Sequence, residues 1–147
     1  MPNVKTLKVK VFDKKLSKPE YKSKGAVAFD VYLRKTVLIK PKEVALAPVN
    51  VAFQVPKGHF ALLAARSSLF KRGVMMANGV GIGDEDFMGD EDEYHMVLLN
   101  FSAKKVSIKR GERIGQILII PYVRANIQLV DKLSSLSRGG FGSTGRK

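Results

Sequence analysis

The stretch VNVAFQV at residues 49–55 places Val49, Val51, Phe53 and Val55 on one face and Asn50, Ala52 and Gln54 on the other. Period two is the mark of a half-buried strand, because successive side chains leave a pleated backbone on opposite sides. Pro41, Pro48 and Pro56 punctuate this region as edges and turns. On the N-terminal side, Leu7, Val9 and Val11 alternate with Lys8 and Lys10, and after a Lys-rich turn AVAFDVYLRKTVLI (26–39) predicts one or two more strands. On the C-terminal side, MVLLNFSAKKVSI (96–108), the turn KRGERIG (109–115) and QILIIPYV (116–123) continue the pattern. Short strands recurring at intervals of roughly 8 to 12 residues predict an all-β, antiparallel sandwich or barrel. One short helix is expected in SSLFKRGV (67–74), capped by Ser67 or Ser68 and ending at Gly73.

The chain has 147 residues, 45% of them hydrophobic, which suits one domain with its own core. No apolar run approaches a bilayer span, and the N-terminus alternates charge, so the expectation is a soluble intracellular protein with no membrane partner. In a eukaryotic or viral setting the nucleus joins the cytoplasm as a compartment. With no cysteine, disulfides and thiolate metal sites are excluded.

Lys and Arg number 26 against 13 Asp and Glu, a formal charge of +13 that favours polyanionic partners, either nucleic acid or a small phosphorylated ligand. Seven of the 13 acids fall between Asp84 and Glu93. A protein that lies along a phosphate backbone has little use for such a cluster, so nucleic acid is the less favoured partner. The acids at 90–93 read as a solvated hairpin tip.

That cluster follows NGVGIGDEDFMGD (78–90), whose alternating glycines suit a hairpin that lets a ligand touch main chain. Acids at its end suit a general base that polarises water, or ligands for a hard cation such as Mg2+. In ARSSLFKRG (65–73), Arg66 precedes two hydroxyls at a turn, where a guanidinium and free N–H groups can grip phosphate. Asp30 and Gln116 stand as polar residues in apolar runs and require partners or a ligand. From Asn126 the chain loosens into a glycine- and hydroxyl-rich tail, RGGFGSTGRK (138–147), with the makings of a lid. The expected division is a β-barrel over 1–125 and a flexible arm over 126–147. His59 and His95 have no partner spacing and read as structural.

Five stretches stand in one order: AVAFDVYL, ARSSLFKRG, NGVGIGDEDFMGD, GERIGQILI and RGGFGSTG. Together they resemble the motifs of the homotrimeric dUTPase family over nearly the whole chain. The resemblance implies a jelly-roll-like β-barrel that trimerises, with active sites shared between subunits and closed by a neighbour's arm. It implies hydrolysis of dUTP to dUMP and pyrophosphate, with Mg2+ held by the triphosphate. Asp84 matches the water-activating aspartate. Asn78, Gly81 and Ile82 match the hairpin that reads uracil, Phe87 the ring under the deoxyribose, and Phe141 the ring that stacks on the base. Arg66, Ser67, Ser68, Gln116, Arg138, Ser143 and Thr144 match phosphate contacts, with Asp30 behind the metal and phosphates.

The chain departs from that pattern at several points. Gly83 replaces an aliphatic residue, Phe87 a tyrosine, and Ala28 and Ser68 replace glycines. The acidic linker is longer than usual, and Arg138 stands closer to Phe141 than its counterpart does. Two alternatives stay open: a dCTP deaminase of the same superfamily, and a catalytically weakened regulatory protein that binds nucleotide or nucleic acid.

Overall fold

Eleven short strands and one 3-10 turn make up the regular structure of residues 5–145, the part that the computed structural model describes. In chain order the strands are β1 (Lys8–Val11), β2 (Phe29–Tyr32), β3 (Val37–Ile39), β4 (Val44–Pro48), β5 (Val51–Gln54) and β6 (His59–Ala65). They continue with β7 (Val74–Met76), β8 (Gly81–Gly83), β9 (His95–Asn100), β10 (Val106–Ile108) and β11 (Arg113–Pro121). One sheet runs β2-β11-β6-β8 and a second runs β4-β9-β7, with β1 paired to β5 and β3 to β10. Every pairing is antiparallel. This is the expected all-β, jelly-roll-like architecture.

Alternation in the sequence drives the packing. Met96, Leu98 and Asn100 of β9 face inward while His95, Val97 and Leu99 are more exposed, and Ala61 and Leu63 of β6 join Ile117 of β11 in the same core. Burying a leucine or isoleucine side chain contributes about 1.5–3 kcal/mol, so this core outweighs any single polar contact. Asn100 lies in it only because its side-chain amide donates to Ile39 O (2.8 Å) and Lys104 O (2.7 Å).

Four sequence expectations need correction, three of them in the strands and turns and one in the acidic tip. First, the alternation at 49–55 is not one strand: it breaks at Asn50, which is buried and adopts a left-handed φ of 69°. Asn tolerates that conformation, and here its side chain accepts from Asp13 N (2.7 Å) and donates to Asp13 O (3.1 Å). The break lets the chain leave the β4-β9-β7 sheet and pair β5 with β1. Second, the helix is a single 3-10 turn, Leu69–Arg72, in which Ser68 makes no side-chain cap. Gly73 ends it at φ 74°, as a left-handed C-cap requires. Third, β11 begins at Arg113, so much of the expected turn is strand.

The acidic tip is only partly solvated. Asp90 and Glu91 are exposed beside Lys10, but Glu93 is buried and forms a two-point ion pair with Arg34, Nε to Oε1 at 2.6 Å and Nη2 to Oε2 at 2.7 Å. Glu93 also accepts the Asn50 N–H at 3.2 Å. This carboxylate ties the loop to the β4–β5 break. Replacing Arg34 by Met leaves the buried charge without its partner, and a loss of roughly 3 kcal/mol is expected. Urea unfolding checks this; an unchanged midpoint refutes it.

Candidate active site

Two clusters lie on the β2-β11-β6-β8 sheet. The first is built on β8, which pairs with β6 on one side only and is the edge of its sheet. Its other backbone edge is therefore available to a ligand, and with glycine at both ends little side chain stands in the way. Gly81 packs tightly: a Cβ there would lie 3.2 Å from Leu63 Cβ. Asn78 is exposed at the start of the hairpin, where its carbonyl accepts the Val80 N–H (2.9 Å), and Ile82 points to solvent.

Asp84 follows β8 directly and is exposed. Its carbonyl accepts the Phe87 N–H (3.1 Å), which turns the chain and sets the Phe87 ring edge-on against Tyr94 at 5.3 Å. Glu85 accepts from Tyr122 Oη (2.6 Å) and Gly58 N (2.8 Å). These bonds, the phenol first, hold its carboxyl below the ordinary value. An open groove of about 830 Å3 runs along this corner, lined by Ile82, Asp84 and Asp86 and, from just past β11, by Arg124 and Ile127.

The second cluster joins three neighbouring strands. Asp30 of β2 is level with Gln116 of β11, which is level with Ala64 of β6. Asp30 pairs with Arg66 Nε (3.3 Å) and Arg113 Nη1 (3.1 Å), and Gln116 Nε2 donates to Ala65 O (3.0 Å). The carboxylate thus holds two guanidiniums side by side. Ser67 and Ser68 are exposed in the turn that follows.

These clusters are far apart in one chain. Asp84 leaves β8 just past Gly83, which is level with Ala61, whereas Arg66 follows the opposite end of β6. From Phe60 to Arg66 the strand covers about 20 Å at about 3.3 Å per residue. The arm does not bridge them. Beyond Tyr122, whose N–H bonds Gly58 O (3.1 Å), the described chain forms no strand. Phe141, at φ 51°, is fully exposed, and Arg138, Ser143 and Thr144 are exposed too, while Arg146 lies outside the described residues.

Residues 14–145 match the model of the dUTPase family. The chain belongs to the dUTPase family. It is 41% identical over 134 residues to the deoxyuridine 5'-triphosphate nucleotidohydrolase of Anaeromyxobacter sp. (strain Fw109-5), covering 89% of each chain. To the enzyme of that name from Nautilia profundicola it is 38% identical over 143 residues, covering 95% of this chain and 99% of the other. Its fold matches a Staphylococcus bacteriophage 80alpha dUTPase solved with dUPNHPP, with a TM-score of 0.84, 24% identity and coverage of 97% and 100%. It also matches the dUTPase from Streptococcus mutans, with a TM-score of 0.72, 21% identity and coverage of 80% and 98%.

In this dUTPase-family chain, sequence reasoning missed three residues. Arg113 was passed over inside a predicted turn, although its place two residues before the Gly115–Gln116 pair could have marked it. Glu85 serves as a latch between the hairpin and Tyr122. Tyr94 fills the gap at Gly83, where a Cβ would lie 1.9 Å from the phenol oxygen; the missing aliphatic side chain was its only signal. His59 and His95 bond neighbouring carbonyls, Lys57 O (3.0 Å) and Glu93 O (2.8 Å), in local roles. Among the described residues no three His, Asp or Glu side chains converge to cage an ion. Asp30, the carboxylate nearest the arginine cluster, is committed to two guanidiniums.

A methyl group at position 83 has to displace the Tyr94 ring. Gly83→Ala is expected to cost about 1–3 kcal/mol by overpacking. A thermal melt indistinguishable from that of the parent chain refutes this.

Proposed function

We propose that this protein hydrolyses dUTP to dUMP and pyrophosphate, with Asp84 activating the water that attacks the α-phosphate. The observation that carries the reading is the position of Asp84, an exposed carboxylate directly after a glycine-rich edge strand, beside an open groove. The names of the relatives, deoxyuridine 5'-triphosphate nucleotidohydrolases at 38–41% identity, support it.

Uracil suits such a strand because main-chain donors and acceptors can satisfy O4, N3–H and O2. Cytosine presents an amino group and an unprotonated N3, and each buried group left unpaired costs about 1–3 kcal/mol. Phe87 provides a ring against the sugar. The Asp30-anchored Arg66, with Gln116 and the hydroxyls of Ser67 and Ser68, supplies the positive charge and hydrogen bonds that a triphosphate requires. A Mg2+ carried by the triphosphate neutralises its charge when bound.

Because Asp84 and Arg66 lie about 20 Å apart along β6, one working site takes them from different copies of the chain. We assign the assembly as a homotrimer. The arm from residue 126 acts as the lid, with Phe141 on the base and Arg138, Ser143 and Thr144 on the phosphates. Exposed Ile127, Leu129, Leu133 and Leu136 give that arm an apolar surface that a neighbouring copy would cover.

With Mg2+ present, the expected outcome is pyrophosphate from dUTP and no ammonia from dCTP; ammonia would instead establish the deaminase. Asp84→Asn is expected to bind dUTP within a few-fold of the parent chain and to lose most turnover. Normal hydrolysis by that variant eliminates Asp84 as the base.

Sharing of the site has its own test. Asp84→Asn and Arg66→Ala chains, each nearly inactive alone, are expected to regain turnover when unfolded together and refolded, because mixed assemblies contain sites with both native residues. Absence of any recovery, with trimers present by mass, refutes a shared site.

A further inference from the structure

Tyr94 stands where the core meets the Asp84 corner. It is only 5% exposed, and its ring lies edge-on between Phe53 at 5.1 Å and Phe87 at 5.3 Å. Its hydroxyl fills the space of the missing Gly83 side chain. Among the described residues it is also a buried polar side-chain atom with no hydrogen-bond partner. Phenylalanine would pack those rings equally well, and an unpaired buried hydroxyl costs about 1–3 kcal/mol. A tyrosine here therefore calls for an acceptor in the working state.

The acceptors nearby are few. The neighbouring carboxylates are Asp84 and Asp92, which after burial itself push the phenol up to about 12. At neutral pH the phenol is therefore protonated and able to donate. Asp92 Oδ2 already accepts the Gly89 N–H at 2.7 Å, and Glu85 is held by Gly58 and Tyr122. Asp84, the residue after Gly83, is exposed and lines the open groove.

We propose that Tyr94 is a positioning residue: its hydroxyl donates a hydrogen bond to the Asp84 carboxylate in the assembled site, and Gly83 is the gap that lets it reach. A donor fixed between two edge-on rings holds one carboxylate oxygen, so that the other faces the attacking water. This arrangement gives the chain a phenol on the core side of the site, where Phe87 supplies none. The inference rests on the reading of Asp84 as the base.

The test is Tyr94→Phe in the full chain, which removes one oxygen and keeps the rings. Its melting temperature is expected to be unchanged or higher, its KM for dUTP to stay within about twofold, and its kcat to fall on the order of tenfold, the size of one lost bond to a charged group. An unchanged kcat overturns the proposal, and so does a loss of stability with KM and kcat changing together. In the Asp84→Asn background the same change is expected to have no further effect on residual turnover, because Tyr94 acts through Asp84; a second tenfold loss also overturns it. If Asp84→Asn is inactive while Tyr94→Phe is normal, this inference alone fails, whereas an active Asp84→Asn removes the reading beneath it.

Discussion

The double pairing of β11 is the constraint on which the rest of the structure depends. Its residues bond β2 on one side and β6 on the other, so Asp30, Gln116 and Ala64 come level in one row. Gly115 makes the fit possible: a Cβ there would lie 2.6 Å from Met96 Sδ, between Val31 and Leu63. With side chains alternating faces, a slip of one residue would turn Gln116 inward and separate Asp30 from its arginines. The charged cluster is thus a consequence of strand register.

The opposite edge of that sheet follows a different logic. Free strand edges invite pairing with other chains, and proteins usually blunt them. Here β8 has three residues, and a run of acids follows it immediately. Shortness and negative charge discourage another strand while leaving the backbone open to a small ligand. Several of those acids also build the corner: Glu93 anchors Arg34, Glu85 latches Tyr122, and Asp92 caps Gly89. Their concentration beside the hairpin therefore has a mechanical origin as well as an electrostatic one.

Much of this was legible in the residues. Period-two patterning identified the strands of the core, and the glycine hairpin, the arginine turn and the tail were visible as motifs because each depends on local backbone needs. The Asn50 break was not legible, since its cause is a hydrogen-bonded pair with Asp13, remote in sequence. The roles of Glu93, Arg113 and Tyr94 were hidden for the same reason, as each is defined by a partner distant in the chain. Tyr94 shows the limit most clearly. In the sequence it stands unremarked between the acidic run and the strand-like stretch that begins at Met96, and only folding brings its hydroxyl against Gly83.

By itself the sequence determined an all-β domain, a glycine ribbon ending in a carboxylate, and a basic chain with its acids gathered in one place, because periodicity, backbone freedom and charge are properties of neighbours along the chain. Tertiary structure alone decided that the carboxylate and the arginine cluster stand at opposite ends of β6, and that a phenol from the loop before β9 fills the gap at Gly83. Those facts come from strand order and register, which are set by contacts between residues far apart in the chain and leave no local trace.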